Sequence, residues 1–282
     1  MNLTKTNMPV FDSLSNRLYS RLRFVLVETS SPGNVGAAAR AIKTMGFSEL
    51  VLVNPRFPDV LQREEAIAFA SGAQDILEST RIVDSVAAAL EGCNYAAALS
   101  ARLREFSPPV VAPRALATQL TAQLASDENF HAALLFGSER YGLPNEIVEK
   151  CNILINIPAN PVYTSLNLAQ AVQVLAYECR IAAETSSDIV TNSVASIANS
   201  NTGSGDDIGF KGQAASLAEI DGMFSHLERA LIEIDFLDPA HPKKLMSRLK
   251  RLFSRAGLEA EEVNILRGIA NQILTKRRRL DR

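Results

Sequence analysis

Five short apolar runs, separated by helical patterns, constrain this chain more than any other feature of it. The runs are 21–27 (RLRFVLV), 49–53 (ELVLV), 95–99 (YAAAL), 132–136 (AALLF) and 153–157 (ILINI). Each has the length of a strand and too few residues for a buried helix. Between the first two lies GNVGAAARAIKTMGF, an alanine-rich helical stretch, and further helical patterns fall near 63–71, 82–91, 113–126 and 144–150. Strands that alternate with helices predict an α/β fold with a mostly parallel sheet covered on both faces. The 132–136 run is almost wholly apolar, as a central strand buried on both sides must be.

A longer helical pattern follows at 164–184, with Thr164 or Ser165 as its cap. The composition then turns to Ser, Asn, Gly and Asp, and 186–213 reads as a mobile linker. Beyond it the pattern is helical only. One stripe is Leu217, Ile220, Phe224, Leu227, Leu231 and Ile234; a second is Leu245, Leu249, Leu252 and Phe253; a third is Val263, Leu266, Ile269 and Ile273. The expected organisation is a main domain over 1–185, a linker over 186–213 and a small three-helix unit over 214–282. A unit that small buries little core alone and is expected to dock or dimerise.

Charge divides the same way. Residues 1–240 hold 17 Lys+Arg against 27 Asp+Glu, whereas residues 241–282 hold 12 against 4. A basic end on an acidic body suggests a polyanionic partner, although a solvated helical face has the same composition. Apolar runs of spanning length are missing and the N-terminal stretch has no apolar segment of the secretory kind, so no membrane association is expected. The three cysteines, Cys93, Cys151 and Cys179, have neither metal-ligand nor disulfide-framework spacing, which points to a reducing, cytoplasmic setting without a metal site.

Three loops follow expected strands, at the edge where open parallel sheets bind ligands. The first, Glu28 to Gly36, has two glycines and Asn34 before a helix bearing Arg40, with Asn34 as the candidate N-cap. The second runs from Gly137 through Glu139 to Gly142, Leu143 and Pro144. The third runs from Ile157 and Pro158 to Thr164, Ser165, Leu166 and Asn167. Taken singly, the first two read better as ordinary joints between a strand and a helix, and the third has plain helix capping as its alternative. Glu139 is the one acid in the three loops that suits a site, and a surface carboxylate paired with an arginine is its plain alternative.

Taken together, Asn34-x-Gly36-Ala37-x-Ala39-Arg40-Ala41, Gly137-x-Glu139-x-x-Gly142-Leu143 and Ile157-Pro158 followed by Ser165-Leu166-Asn167-x-Ala169 resemble the three motifs of the TrmH-like branch of SPOUT methyltransferases. The match covers about residues 21–180. The C-terminal stretch is similar to the helical extension of the branch members that act on tRNA cytidine and uridine. The resemblance implies a SPOUT-type sheet with a deep C-terminal trefoil knot, which no pattern reading would propose because threaded chains are so rare. It also implies a homodimer with a shared substrate site, S-adenosylmethionine as cofactor, and methylation of a ribose 2′-hydroxyl at the first nucleotide of the tRNA anticodon loop.

Carried onto this sequence, the cofactor contacts are Leu99, Ser100, Ala101, Gly137, Ile157, Thr164, Ser165 and Leu166. The catalytic set is Asn34, Arg40, Glu139 and Ser165, with Asn167 helping to orient it. A guanidinium is too weak an acid to serve as a literal base, so Arg40 is read as binding the phosphate or ribose beside the target and easing loss of the hydroxyl proton. Arg102, Arg104, Lys250 and Arg251 are expected RNA contacts. The rival readings are a methyltransferase for ribosomal RNA, a non-catalytic RNA-binding relative, and a Rossmann oxidoreductase. The last would need G-x-G-x-x-G after the first strand, where this chain has Gly33-Asn34-Val35-Gly36.

Overall fold

The computed structural model describes residues 19–102, 108–196 and 213–280. In chain order the main domain contains β1 (Leu22–Val27), α1 (Pro32–Thr44), β2 (Glu49–Val53), α2 (Glu64–Ala70), α3 (Gln74–Ser79), β3 (Arg81–Val83) and α4 (Val86–Ala89). It continues with β4 (Tyr95–Leu99), β5 (Val110–Val111), α5 (Pro113–Ser126), β6 (Ala132–Phe136), α6 (Asn145–Val148), β7 (Ile153–Ile155) and α7 (Leu168–Ser196). The sheet order is β3-β2-β1-β6-β4-β7-β5, and every strand pairing among the described residues is parallel.

Strand residues alternate between two cores, as the two-residue period of a strand requires. Phe24, Leu26, Leu134 and Phe136 meet Val35 and Ile42 of α1, Leu116 and Leu120 of α5, and Val172 and Leu175 of α7. Val25, Val27, Leu135 and Leu154 pack on the other face with Ala89 of α4 and Val148 of α6. Phe24 is the hinge of the larger core, stacked on Phe136 at 6.3 Å and edge-on to Phe47 at 5.3 Å. Each such side chain contributes about 1.5–3 kcal/mol on burial. Gly36 lets α1 lie against α2, since a Cβ there would sit 2.0 Å from the Ala66 carbonyl oxygen.

Two strands were not legible in the sequence. β3 falls where a helical pattern was expected from residue 82, and Ile82 on it is exposed. β5 is a two-residue strand at the opposite edge of the sheet. The long helix also differs from expectation. It starts at Leu168, and runs to Ser196, well into the stretch read as linker. Ser, Thr, Asn and Asp are mediocre helix formers, yet adding residues to an established helix is far easier than starting one. Of the stretch read as linker, 197–212 lies outside the described residues.

The C-terminal unit is helical as expected, with α8 (Leu217–Glu233), α9 (Leu245–Ser254) and α10 (Ala260–Leu280). Ser216 and Glu219 form a capping box that starts α8. Met223, Phe224, Leu258 and Val263 form its small core, with Leu249 and Phe253 packed on it. The unit is docked. Leu217 enters the second core of the main domain, and its N–H donates to the Cys93 carbonyl at 3.2 Å. Lys150 pairs with Asp221 at 3.3 Å, and the Ser247 hydroxyl donates to Glu149 at 3.0 Å. Cys93 and Asn94 precede β4, so the docking edge is the N-terminal edge of the sheet.

Candidate active site

The loops singled out from sequence leave the opposite, C-terminal edge. β1 lies beside β6, and β4 beside β7, so the first two loops are neighbours and the Ser100 and Asn156 segments are neighbours. The chain turns out of β1 at Glu28, whose φ of 53° is in the left-handed region, and its N–H donates to the Val53 carbonyl at 2.8 Å. Ser31 caps α1, its hydroxyl accepting from the Asn34 N–H at 3.4 Å. Asn34, expected to be the cap, therefore lies inside the first turn. Pro32 explains the shift, because it favours the first helical position, directly after a cap. The Asn34 side chain is left for other work.

That work is a hydrogen-bonded relay through all three loops. Glu139 of the second loop accepts from the Thr29 hydroxyl at 3.0 Å, from the Ser30 N–H and hydroxyl, both at 2.9 Å, and from the Ser31 N–H at 3.2 Å. The Asn34 carboxamide donates to the same carboxylate at 2.9 Å. Its oxygen accepts from the Asn167 carboxamide, again at 2.9 Å. Asn167 in turn accepts from the Ala169 and Gln170 N–H groups and caps α7. Thr164 and Ser165, the expected caps, are exposed on the loop before it.

Partial burial pushes the Glu139 carboxyl up, but the hydrogen bonds from Asn34 and Ser30 outweigh it, and the net shift is downward. The carboxylate stays ionised, and its donors are hydroxyls and amides instead of an arginine. An acceptor held by five donors suits positioning better than proton exchange. Thr29, Ser30 and Ser31 were not picked out as site residues. Their signal in the sequence was a run of three hydroxyls directly before Pro-Gly.

The second loop is tightly folded. The Gly142 N–H donates to the Ser138 carbonyl at 2.9 Å, and a Cβ on Gly137 would lie 2.1 Å from the Gly142 carbonyl carbon. On the β4 side, the Ser100 N–H donates to the Ile155 carbonyl at 3.0 Å and the Asn156 carboxamide donates to the Ser100 carbonyl at 3.1 Å. Leu99, Ile157 and Leu166 are half-buried against the main core. Three aliphatic side chains therefore stand beside a hydrogen-bonded backbone edge. Ala101 is exposed at the mouth of this edge.

Arg40 is exposed on α1, six residues beyond Asn34 on the same helix, and lies outside the relay's hydrogen bonds. Arg102 is exposed after β4, and Arg104 lies outside the described residues. Of the expected RNA contacts on α9, Arg251 is exposed, whereas the Lys250 ammonium sits 5.9 Å from the centre of the Phe224 ring at the docking junction. The structure thus brings Asn34, Glu139 and Asn167 together and sets Lys250 and Arg251 at the far edge of the sheet. Among the described residues no group of three or more His, Cys, Asp or Glu could hold a metal ion, and no helix is long and apolar enough to cross a membrane.

Comparison with known proteins bears on both parts of the chain. Residues 21–177 match the SpoU rRNA Methylase family, and residues 218–282 match the C-terminal domain of the tRNA methyltransferase TrmJ. The tRNA (cytidine/uridine/adenosine-2′-O-)-methyltransferase TrmJ of Pseudomonas aeruginosa (strain UCBPP-PA14) is 43% identical over 258 residues, covering 90% of this chain and 94% of that protein. The tRNA (cytidine/uridine-2′-O-)-methyltransferase TrmJ of Pectobacterium atrosepticum is 42% identical, covering 91% and 98%. The crystal structure of TrmJ from Z. mobilis ZM4 matches with a TM-score of 0.70 at 29% identity, covering 89% of this chain and 98% of that one.

Proposed function

The chain belongs to the SpoU rRNA methylase family, within its TrmJ group, and from that premise we propose that it methylates a ribose 2′-hydroxyl in the tRNA anticodon loop, with S-adenosylmethionine as the methyl donor. The observation that carries this reading is the relay from Glu139 through Asn34 to Asn167, which ties the three loops into one site on a chain 43% identical to a tRNA 2′-O-methyltransferase. Identity that extends across the helical unit favours tRNA over ribosomal RNA as substrate.

When bound, S-adenosylmethionine supplies an electrophilic methyl group for in-line attack by the ribose oxygen. Leu99, Ser100, Ala101, Gly137, Ile157, Thr164, Ser165 and Leu166 would hold it, through backbone groups and the aliphatic side chains already described. Arg40 binds the phosphate or ribose beside the target, and its charge lowers the cost of losing the hydroxyl proton. Glu139 is a positioning residue that fixes the Asn34 and Asn167 carboxamides and, with them, the approach of the ribose. Arg102, Arg104, Lys250 and Arg251 supply affinity for RNA phosphates.

The active form in this reading is a homodimer. Exposed apolar side chains on α2 and α7 (Ile67, Phe69, Tyr177 and Ile181) support a further surface to bury. A knot through the C-terminal part of the main domain is included, and insertion of β7 beside β4, away from its sequence neighbour β6, supports it. Three free, buried cysteines accord with a cytoplasmic place. The test is tritium transfer from labelled cofactor to bulk tRNA and to ribosomal RNA, followed by mass mapping of the methylated nucleoside. A label confined to ribosomal RNA, or none at all, would overturn the reading.

A further inference from the structure

Tyr141 is an aromatic side chain that the fold does not use. It is 75% exposed and belongs to none of the three cores. It stands two residues after Glu139, in the loop that the relay fixes. The loop is closed on both sides of it: the Tyr141 N–H donates to the Ser138 hydroxyl at 3.3 Å, and the Gly142 N–H to the Ser138 carbonyl at 2.9 Å. Gly142 takes a φ of 69° to complete the turn. The Arg140 guanidinium lies 5.2 Å from the centre of the Tyr141 ring, and both residues are exposed. A ring left out of every core, with a cation beside it on a hydrogen-bonded loop at the C-terminal edge of the sheet, is open to stack against a planar ligand.

We infer that Arg140 and Tyr141 form a stacking platform for an unpaired base next to the target nucleotide, an inference that rests on the tRNA reading above. Anticodon-loop bases are unpaired, and proteins recognise such bases by stacking them on aromatic rings and guanidinium planes. The guanidinium also attracts the adjoining phosphate. The platform holds the loop nucleotide so that its neighbour's ribose meets the relay. It prefers no particular base, because every base offers a face to stack on.

The experiment uses the full chain. Tyr141→Ala should raise the KM for tRNA about 5- to 150-fold, as removal of one stacking aromatic does elsewhere. Cofactor affinity and sedimentation should match the wild type. Tyr141→Phe, which keeps the ring, should restore most of the affinity. The chain contains no tryptophan, so Tyr141→Trp places a single indole at this position, and its emission should be quenched on addition of tRNA. An unchanged KM for Tyr141→Ala, or no quenching in Tyr141→Trp, overturns the inference. A shift of Tyr141→Ala from dimer to monomer overturns it as well, by assigning the ring to a contact between two copies. If wild-type protein transfers no label to tRNA, the functional reading falls separately, and the quenching still decides the platform.

Discussion

The Asn34 carboxamide donates to the Glu139 carboxylate across 2.9 Å, joining two loops whose residues stand 105 positions apart. The bond fixes which way the carboxamide faces, since its N–H side must meet the carboxylate. Its oxygen is thereby turned to Asn167. One ionised group sets the orientation of two carboxamides in succession.

Glu139→Gln should therefore be far more damaging than its size suggests. A carboxamide presents an N–H group to donors that need an acceptor, and replacing an ionised acceptor costs about 1.5–3 kcal/mol per affected bond. Methyl transfer should fall at least tenfold, while the far-ultraviolet circular dichroism stays that of the wild type. Transfer at the wild-type rate would show that the relay does not position the ribose.

The same carboxylate predicts a pH dependence. Its folded value lies below its ordinary value of 4.5, so its stabilisation is fully present above that value and is lost as pH falls through the lower folded value. The stability gap between wild type and Glu139→Gln should thus be widest above about pH 4.5 and close in more acid solution. Melting temperatures of both proteins from pH 7 to pH 3 would reveal a constant gap if the assignment is wrong.

Arg40→Ala should abolish transfer with cofactor affinity nearly unchanged, because Arg40 is placed on the ribose side. Arg40→Lys should also be poor, since a point charge cannot reproduce the planar fork of a guanidinium. Calorimetry with S-adenosylhomocysteine, run beside the activity assay, separates the two effects. Weakened cofactor binding with normal turnover at saturation would move Arg40 to the other side of the site.

Two glycines should respond to alanine in opposite senses. Gly36→Ala drives a methyl group to within 2.0 Å of the Ala66 carbonyl oxygen, so α1 and α2 must separate. Overpacking of this kind costs about 1–3 kcal/mol. Gly268, on the exposed face of α10, has no neighbour within 4 Å of a new Cβ. Alanine there should stabilise the helix by about 0.5–1 kcal/mol. Urea midpoints of the two variants should straddle that of the wild type.

Arg251→Gln combined with Arg255→Gln should weaken binding to tRNA and flatten its dependence on salt, each lost phosphate contact lowering the slope by about one. Both residues are exposed on the docked unit, so the fold should be retained. This is a cleaner test than removing residues 214–282, because Leu217 is part of the second core and truncation would uncover it. An unchanged salt slope would assign α9 a purely structural part.

Much of this was legible in the sequence for a plain reason: a strand buried on both faces leaves an unbroken apolar run. β1, β2, β4 and β6 were readable on that basis, and β7 also, though its run extends past the strand's end. β3 and β5 were not, since they are the edges of the sheet, short and partly exposed, and supply almost no apolar signal. Asn34, Glu139 and Asn167 could be named from their motifs, but not the order in which they bond. That order depends on β6 lying beside β1, a pairing no local pattern encodes. The continuation of α7 to Ser196 was hidden by composition suited to a loop.

The helical unit docks at the N-terminal edge of a parallel sheet whose C-terminal edge carries the relay. Strands of five or six residues put these edges about 17–20 Å apart before any loop is added. The chain is therefore built like a pair of calipers, with Arg251 and Arg255 on one jaw and Asn34 and Glu139 on the other. On the reading proposed above, an RNA that met both jaws of one protomer would have to reach round its body, so a hairpin trimmed to the anticodon arm should bind more weakly than whole tRNA.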